Sequence, residues 1–230
     1  MRKKQLILIL FIIIILLALS SLFLYLNESQ SDKNETVSLG NESYGTVERL
    51  GPFGNPDSDV KIAYVVGLHP LESQVHKTFL NEFFNMKDLN YCYYIYMINV
   101  TEDVDDYNQG RMNGQLLAQK YVLPDALDEK YSLVVDVHSM EVWSSWDSNQ
   151  YIFSPVNGSA GEVIAQTILK NCSFSEYYNP PDATSPPYLL TPLNEHGIPA
   201  ICWEEFEGNT QEEMNSHIKT LILTIDNLVF

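Results

Sequence analysis

The sequence predicts a single α/β/α domain, in which helices cover both faces of a mixed central sheet, behind an N-terminal transmembrane helix. Behind that apolar N-terminal stretch and a polar segment, about 170 residues remain, which is enough for one domain with its own core. In this part of the chain, short apolar runs alternate with segments of helical period. Such alternation is typical of a sheet whose strands are connected by helices.

Five apolar runs are predicted to be strands, and the third and fifth are short and apolar enough to be central. In chain order they are Ile62–Val66, Tyr91–Asn99, Ser132–Val137, Tyr151–Phe153 and Pro199–Trp203. Segments of helical period are predicted to be helices, and they are Leu71–Asn85, Arg111–Tyr121, Ala160–Lys170 and Thr210–Leu228. The apolar residues of the last helix recur on one face, which is expected to pack on the sheet.

The N-terminal region is predicted to anchor the chain in the cell membrane by a single span. Residues 1–4 form a basic tip, and residues 5–26 carry no charge. The uncharged stretch is long enough for one helix to cross a hydrocarbon core of about 30 Å. Basic residues before it place the N-terminus in the cytoplasm and the remaining chain outside. A cleaved signal peptide is the alternative, although its apolar part is usually shorter, about 7–15 residues.

The segment after the apolar stretch is predicted to be a linker. Residues 27–59 are rich in Asn, Ser, Glu and Gly, so the domain is expected to occupy residues 60–230. Asn-X-Ser/Thr sequons agree with export and with a glycoprotein; they lie at Asn27, Asn34, Asn41, Asn99, Asn157 and Asn171. The three cysteines allow one disulfide at most.

The charge of the chain argues against a nucleic-acid partner. The formal net charge is −17, with 13 Lys and Arg against 30 Asp and Glu. A protein that neutralises phosphates needs a basic face, and this composition does not provide one. The acidity fits a soluble domain outside the cell, or a neutral or cationic substrate. No feature of the sequence fixes an oligomeric state.

Two histidines and a glutamate lie at predicted strand ends. His69 and Glu72 follow the first strand, and His138 ends the third strand in an Asp-Val-His-Ser run. Because ligands gather at the carboxyl ends of strands in such sheets, these side chains are expected to converge. Two histidines and a carboxylate form a hydrolytic zinc site with one open position, and other divalent metals suit the same donors. The alternative is a pair of hydrogen-bonded histidines without a metal.

Three further carboxylates bear on this site. Asp136 points to the same strand face as His138, so it is a candidate hydrogen-bond partner for a metal-binding imidazole. Glu204 and Glu205 end the fifth strand. They face opposite sides of that strand, so only one of them can face the metal. That carboxylate is a candidate to take a proton from water and pass it to a leaving nitrogen. In the alternative, the two glutamates are solvated residues at the end of the strand and have no catalytic role.

The three motifs resemble those of the zinc carboxypeptidase superfamily, and within it the succinylglutamate desuccinylase/aspartoacylase branch. They are a Gly-X-His-X-X-Glu turn, an Asp-X-His-Ser strand end and a Gly-Ile-Pro-Ala strand that carries a glutamate. The resemblance covers about residues 60–228 and implies a phosphorylase/hydrolase-like fold. It also implies one Zn²⁺ per chain on His69, Glu72 and His138, with Glu204 as the general base. Bending of the chain at the strand end leaves Glu205 as a rival for this role.

Arg111 is the sole arginine of the predicted domain. The resemblance implies that it stabilises an oxyanion or clamps a substrate carboxylate, and its planar guanidinium suits both tasks. A salt bridge to Asp105 or Asp106 is the alternative. The adjacent Asn-Arg pair of the family is missing from this chain. Strict recognition of a terminal carboxylate is therefore in doubt, and Asn108 or Asn113 is a candidate for a neutral hydrogen bond instead.

These observations predict a membrane-anchored, extracytoplasmic, zinc-dependent hydrolase. It is expected to cleave an amide bond of a small molecule or peptide by metal-activated water, as a deacylase or a peptidase. One alternative is a carboxypeptidase that trims cell-wall or other peptides, with Arg111 recognising the terminal carboxylate. Another is a non-catalytic relative that binds a ligand at the cell surface. Tyr188, in the loop before the fifth strand, is a candidate substrate contact, or else packs in the turn.

Overall fold

The computed structural model describes residues 35–142, 148 and 150–230. Its strands are β1 Glu35–Glu42, β2 Gly45–Gly54, β3 Lys61–Val66, β4 Cys92–Val100, β5 Leu133–Met140, β6 Tyr151–Phe153, β7 Glu176–Tyr177 and β8 Ala200–Phe206. Its α-helices are α1 Ser73–Asn85, α2 Tyr107–Leu117, α3 Leu123–Glu129, α4 Ala160–Ile168, α5 Leu190–Glu195 and α6 Gln211–Asp226. Short 3₁₀ turns cover Pro70–Glu72 and Pro186–Tyr188.

All the described strands form one mixed sheet in the order β1-β2-β4-β3-β5-β8-β6-β7. The central strands β4, β3, β5 and β8 run parallel to one another, and β2 and β6 join them antiparallel. The predicted α/β class with a mixed sheet is therefore confirmed. Because β3, β5 and β8 are neighbours with the same direction, their carboxyl ends meet at one edge, where the candidate site residues lie.

Helices cover the sheet on both faces. On one face, α1, α4 and α6 pack over a core that contains Tyr64, Phe79 and Trp203. On the other face, α2, α3 and α5 pack over a second core. Residues alternate between the faces along each strand. In β8, Ile201 and Trp203 join the first core, whereas Ala200 and Cys202 join the second. This alternation decides which side chains of β5 and β8 can meet α2.

The structure corrects the predicted polar linker at residues 27–59. Residues 35–54 are not a tether, because β1 and β2 form an antiparallel hairpin that pairs with β4. The two strands lie at the edge of the sheet and are partly solvated, so they carry polar residues and lack a continuous apolar run. The domain therefore extends at least from residue 35, and not from residue 60.

A partly buried ion cluster ties this hairpin to the helical layer. Arg49 Nη1 of β2 lies 2.8 Å from Asp125 Oδ2 and 2.6 Å from Glu129 Oε1, both on α3. Tyr96 of β4 donates a hydrogen bond to the same Asp125 oxygen. Arg49 and Lys61, whose Nζ lies 2.8 Å from Glu129 Oε2, together balance these two carboxylates, which are largely shielded from water. The hairpin is an integral part of the domain.

The predicted second helix differs from the observed one. α2 begins at Tyr107 because the Asp106 carboxylate caps its first turn, accepting hydrogen bonds from two backbone N–H groups. The helical path then widens into a π turn at Ala118–Val122 and continues as α3 from Leu123, with Pro124 in its first turn. A proline has no N–H to donate, and the wider turn accommodates it. The sequence prediction ended this helix at residue 121 and missed α3.

The predicted basic tip at 1–4 and transmembrane anchor at 5–26 lie outside the described residues. Within residues 35–142, 148 and 150–230, no helix has both the length and the apolar character to cross a membrane. All three cysteines are buried and free, so no disulfide forms. Four of the sequon asparagines fall in the described part, and each is exposed: Asn41, Asn99, Asn157 and Asn171.

Candidate metal centre

A glycine turn carries the chain from β3 to the first two candidate ligands. Gly67 has a φ of 87°, and a Cβ at this position would lie 2.0 Å from the carbonyl oxygen of Ile98. Only glycine fits both conditions. The chain then turns through the 3₁₀ segment Pro70–Glu72, so His69 and Glu72 come together. Nδ1 of His69 lies 2.7 Å from Oε1 of Glu72.

The third candidate ligand meets the same carboxylate from β5. Nδ1 of His138 lies 2.8 Å from Oε2 of Glu72, and the two imidazole centroids are 4.4 Å apart. One donor atom from each of His69, Glu72 and His138 lies within 4.8 Å of the others. All three side chains are at most 2 % exposed. The part of the chain that the structure describes contains no second group of this kind.

Neighbouring groups orient these side chains. Oδ2 of the fully buried Asp136 lies 2.9 Å from Nε2 of His138, although not in the direction of a regular hydrogen bond. The backbone N–H of Ser139 donates to Oε2 of Glu72 at 3.2 Å. The contact between Asp136 and His138 is the one that the strand alternation predicts. It leaves Nδ1 of His138 facing Glu72.

The three side chains differ in their charge states. Burial lowers the pKa of His69 to about 3, so this imidazole is neutral at ordinary pH. Burial opposes ionisation of Glu72, yet His69 and His138 together hold the pKa of this carboxyl well below its usual range. Burial also opposes the charged form of His138, but Asp136 and Glu72 raise its pKa well above the usual value. A metal bound here must displace the proton of His138.

The two adjacent glutamates of β8 face opposite sides of the sheet. Glu204 lies beside His138 in the strand register, on the face covered by α2. Its Oε2 is buried without a hydrogen-bond partner, and burial raises the pKa of the carboxyl to about 8. A carboxylate in this setting, near a metal centre, is suited to proton transfer.

Glu205 belongs to a separate hydrogen-bond network on the opposite face. Asn209 donates to Oε1 at 2.6 Å, Gln150 donates to Oε2 at 2.8 Å, and Nδ1 of His217 lies 3.0 Å from Oε1. Burial raises the pKa of Glu205. With both oxygens engaged on the α6 side, Glu205 does not face the candidate ligands.

Arg111 lies beside the candidate metal ligands rather than beside the aspartates of its own loop. Its Nη1 donates to Oε1 of Glu72 at 3.1 Å and lies 3.8 Å from Oε1 of Glu141. The guanidinium carbon stands 4.8 Å from the ring centre of Tyr107. Asp106 is occupied instead as the cap of α2. The arginine thus places a positive charge beside the candidate metal centre.

Other residues singled out in the sequence are not gathered at this centre. Asn113 is buried, donates to the carbonyl of Glu102 and accepts from Gln109, so both ends of its amide are engaged. Asn108 is exposed in the first turn of α2. Tyr188 is partly buried in the 3₁₀ turn before α5. No described hydrogen bond joins any of the three to His69, Glu72 or His138.

The sequence prediction missed two neighbours of the centre. His76 of α1 is buried, and its Nε2 lies 2.9 Å from the carbonyl oxygen of Val137. Gln115 of α2 is 1 % exposed, and its Nε2 lies 3.3 Å from Nε2 of His69. The spacing could have indicated Gln115, because this residue lies one helical turn after Arg111 and on the same face of the helix.

Comparison with known proteins finds similarity in fold. No protein-family model matches the sequence, and no curated protein matches it. A metallo-carboxypeptidase from Burkholderia cenocepacia has a TM-score of 0.54 at 11 % identity, over 88 % of this chain and 66 % of that one. An aspartoacylase family protein from Mesorhizobium loti has a TM-score of 0.51 at 14 % identity, over 84 % and 66 % of the two chains.

The cell shape determinant protein Csd4 from Helicobacter pylori is a third similar structure. Its tripeptide-bound form has a TM-score of 0.53 at 10 % identity, over 80 % of this chain and 55 % of Csd4. This chain thus spans about half the length of Csd4. Together, these matches confirm the predicted resemblance at the level of fold: the fold is metallo-carboxypeptidase-like, and the similar structures include an aspartoacylase family protein.

Proposed function

We propose that this protein is a zinc-dependent hydrolase that cleaves an amide bond. The observation that carries the proposal is the convergence of His69, Glu72 and His138 at one buried point, with Glu204 next to His138 on the same face of the sheet. The metallo-carboxypeptidase-like fold supports a hydrolytic reaction. A deacylase and a peptidase both fit this arrangement.

The residues present fit a zinc ion. Two imidazole nitrogens and one carboxylate oxygen are typical zinc donors, and three protein ligands leave a position for water or substrate. Asp136, next to Nε2 of His138, is the kind of outer partner that such sites have. When bound, zinc lowers the pKa of a water molecule and polarises a carbonyl group.

The remaining chemistry belongs to side chains of this chain. The Glu204 carboxylate accepts a proton from the attacking water and delivers it to the leaving nitrogen. Its unpartnered Oε2 and its raised pKa favour both halves of this transfer. Arg111, held by Glu72 and stacked near Tyr107, places a fixed positive charge beside the carbonyl oxygen as negative charge develops on it.

A peptide is the substrate class that the comparisons favour. Csd4 of H. pylori has been solved with a tripeptide and with a product, and this chain has a similar fold. A carboxypeptidase action on cell-wall or other peptides is therefore the second candidate, with Arg111 binding the terminal carboxylate. In the main proposal, Arg111 instead stabilises the charge on the carbonyl oxygen, whether or not the end of the substrate is charged.

Elemental analysis of the purified full chain tests the metal centre. We expect about one zinc per chain in the wild type and none in the His69→Ala and His138→Ala variants, because each change removes one of three protein ligands. A His196→Ala variant is the matched control, since His196 is exposed in the helix-to-strand turn and should keep the zinc. A wild-type chain without metal after zinc is supplied would overturn the hydrolase and favour a non-catalytic ligand-binding protein.

We also propose that residues 5–26 anchor the protein in the cell membrane, with the described domain outside the cytoplasm. The uncharged stretch and the basic residues before it support this topology. The exposure of Asn41, Asn99, Asn157 and Asn171 supports glycan attachment after export.

Fractionation of cells that produce the full chain tests the anchor. We expect the protein in the membrane fraction after an alkaline wash, and cleaved by protease added outside intact cells. Replacement of residues 5–26 is expected to abolish both results. Recovery of the uncleaved wild-type chain in the soluble fraction would contradict the anchor.

A further inference from the structure

We propose that Gln115 is the hydrogen-bond partner that orients His69 for metal binding, and that Thr184 holds the amide of Gln115 in place. The inference rests on the metal centre proposed above. Gln115 lies outside every ligand motif of the sequence. The evidence is the hydrogen bonding of the buried Gln115 amide, to His69 on the side of the imidazole that faces away from Glu72 and to the exposed residue Thr184.

Both histidines turn the same ring nitrogen toward the shared carboxylate. Nδ1 of His69 and Nδ1 of His138 lie 2.7 Å and 2.8 Å from the two oxygens of Glu72. A metal bound between these side chains therefore takes Nδ1 of each ring. The proton of a neutral ring is then on Nε2, which needs an acceptor. For His138, Oδ2 of Asp136 is 2.9 Å away.

His69 has a different neighbour at its Nε2. Nε2 of Gln115 lies 3.3 Å from this atom and 2.9 Å from Oγ1 of Thr184. Oε1 of Gln115 is buried without a hydrogen-bond partner. The oxygen and nitrogen of an amide differ little in shape, and the surrounding network decides which atom faces where. Half a turn of the amide places Oε1 toward His69 and leaves Nε2 at the position where Oε1 has no partner.

In that orientation, one oxygen serves two donors. Oε1 of Gln115 accepts from Nε2–H of His69, and the Thr184 hydroxyl donates to the same oxygen. Thr184 belongs to the loop before the 3₁₀ turn Pro186–Tyr188. The amide of Gln115 thus fixes the tautomer and the ring plane of His69.

The packing of α2 explains how Gln115 reaches this position. A Cβ on Gly114 would lie 1.8 Å from the carbonyl oxygen of Leu68, so the helix backbone lies directly against the chain before His69. Gln115 follows this contact point. Arg111, one turn earlier on the same helix face, reaches Glu72. A single helix therefore supplies partners to two of the three ligands.

The zinc affinity of the full chain, measured by competition with a chromophoric chelator, tests the role of Gln115. Gln115→Leu keeps nearly the same volume but removes the acceptor, so Nε2–H of His69 becomes buried and unpaired. We expect its zinc affinity to fall about 10- to 100-fold. Gln115→Glu keeps an acceptor at the same reach, and we expect an affinity at least as high as that of the wild type.

The two substitutions separate hydrogen bonding from packing. Equal losses in Gln115→Leu and Gln115→Glu would overturn the proposal, as would wild-type affinity in Gln115→Leu. Melting temperatures of the proteins, measured after a chelator has removed the zinc, establish that each variant folds. If Gln115→Leu does not fold, Thr184→Ala replaces it, and wild-type zinc affinity in that variant overturns the proposal. Absence of zinc from the wild-type chain would instead overturn the metal centre.

Discussion

Glu204→Gln is expected to abolish most turnover while zinc stays bound. Glutamine keeps the size of the side chain but cannot accept a proton from water, and general acid–base catalysis typically contributes about 10²- to 10⁴-fold. We therefore expect kcat to fall by about this factor. Glu204 is not one of the three donors that converge, so the zinc content should remain near one per chain. Hydrolysis of model acyl-amides and peptides, followed together with elemental analysis, measures both quantities.

Glu205→Gln is the matched control for this substitution. It changes the same side chain one residue later, on the face that binds Asn209, Gln150 and His217. We expect a lower melting temperature, because the network loses its charged acceptor, but a kcat within a few-fold of the wild type. A loss of turnover in Glu205→Gln with full activity in Glu204→Gln would reverse the assignment of the base.

The pH dependence follows from the same carboxylate. Burial raises the pKa of Glu204 to about 8, and a bound cation would lower this pKa. A general base must be ionised, so kcat/KM should fall as the pH drops through the pKa of Glu204. The acidic limb of the wild-type profile should therefore lie below pH 8. The residual activity of Glu204→Gln should lack this limb.

The candidate metal ligands could be proposed from sequence because a local turn and the strand ends position them. Gly67 precedes a tight turn, and a three-residue spacing brings His69 and Glu72 to one side of it. Asp136 and His138 share a strand face by alternation alone. The same alternation separates Glu204 from Glu205, but the sequence does not show which strand face α2 covers. The structure supplies that fact through the two cores.

The missed features depend on contacts between distant segments. The hairpin of β1 and β2 is held by backbone pairing with β4 and by the ion cluster around Arg49, so its polar composition resembled a linker. Gln115 carries no charge and belongs to no ligand motif. Its position next to His69 depends on the close approach of α2 at Gly114, which no local pattern encodes. The alternative for Arg111, a salt bridge to Asp105 or Asp106, is not what the structure shows, since Arg111 contacts Glu72, which is 39 residues away.

Arg111→Met is expected to lower kcat by about 10²- to 10³-fold for neutral amides and for substrates with a terminal carboxylate alike. The reason is its position: Nη1 is 3.1 Å from a metal ligand, so the charge lies beside the reacting carbonyl and stabilises the oxyanion of every substrate. Loss of one such donor typically costs this factor. Steady-state kinetics on paired substrates, one ending in a carboxylate and one in an amide, measure the effect.

The paired substrates also decide between the two candidate functions. If Arg111 clamps a terminal carboxylate, Arg111→Met should raise KM for that substrate alone and leave the amide-terminated substrate unchanged, which would favour the carboxypeptidase. Arg111→Lys keeps the charge but not the planar fork, so it should recover part of kcat if charge near the oxyanion dominates. Because Arg111 contacts Glu72, the zinc content of each variant is measured as well. A fall in turnover with zinc retained assigns the effect to the guanidinium and not to a disturbed metal ligand.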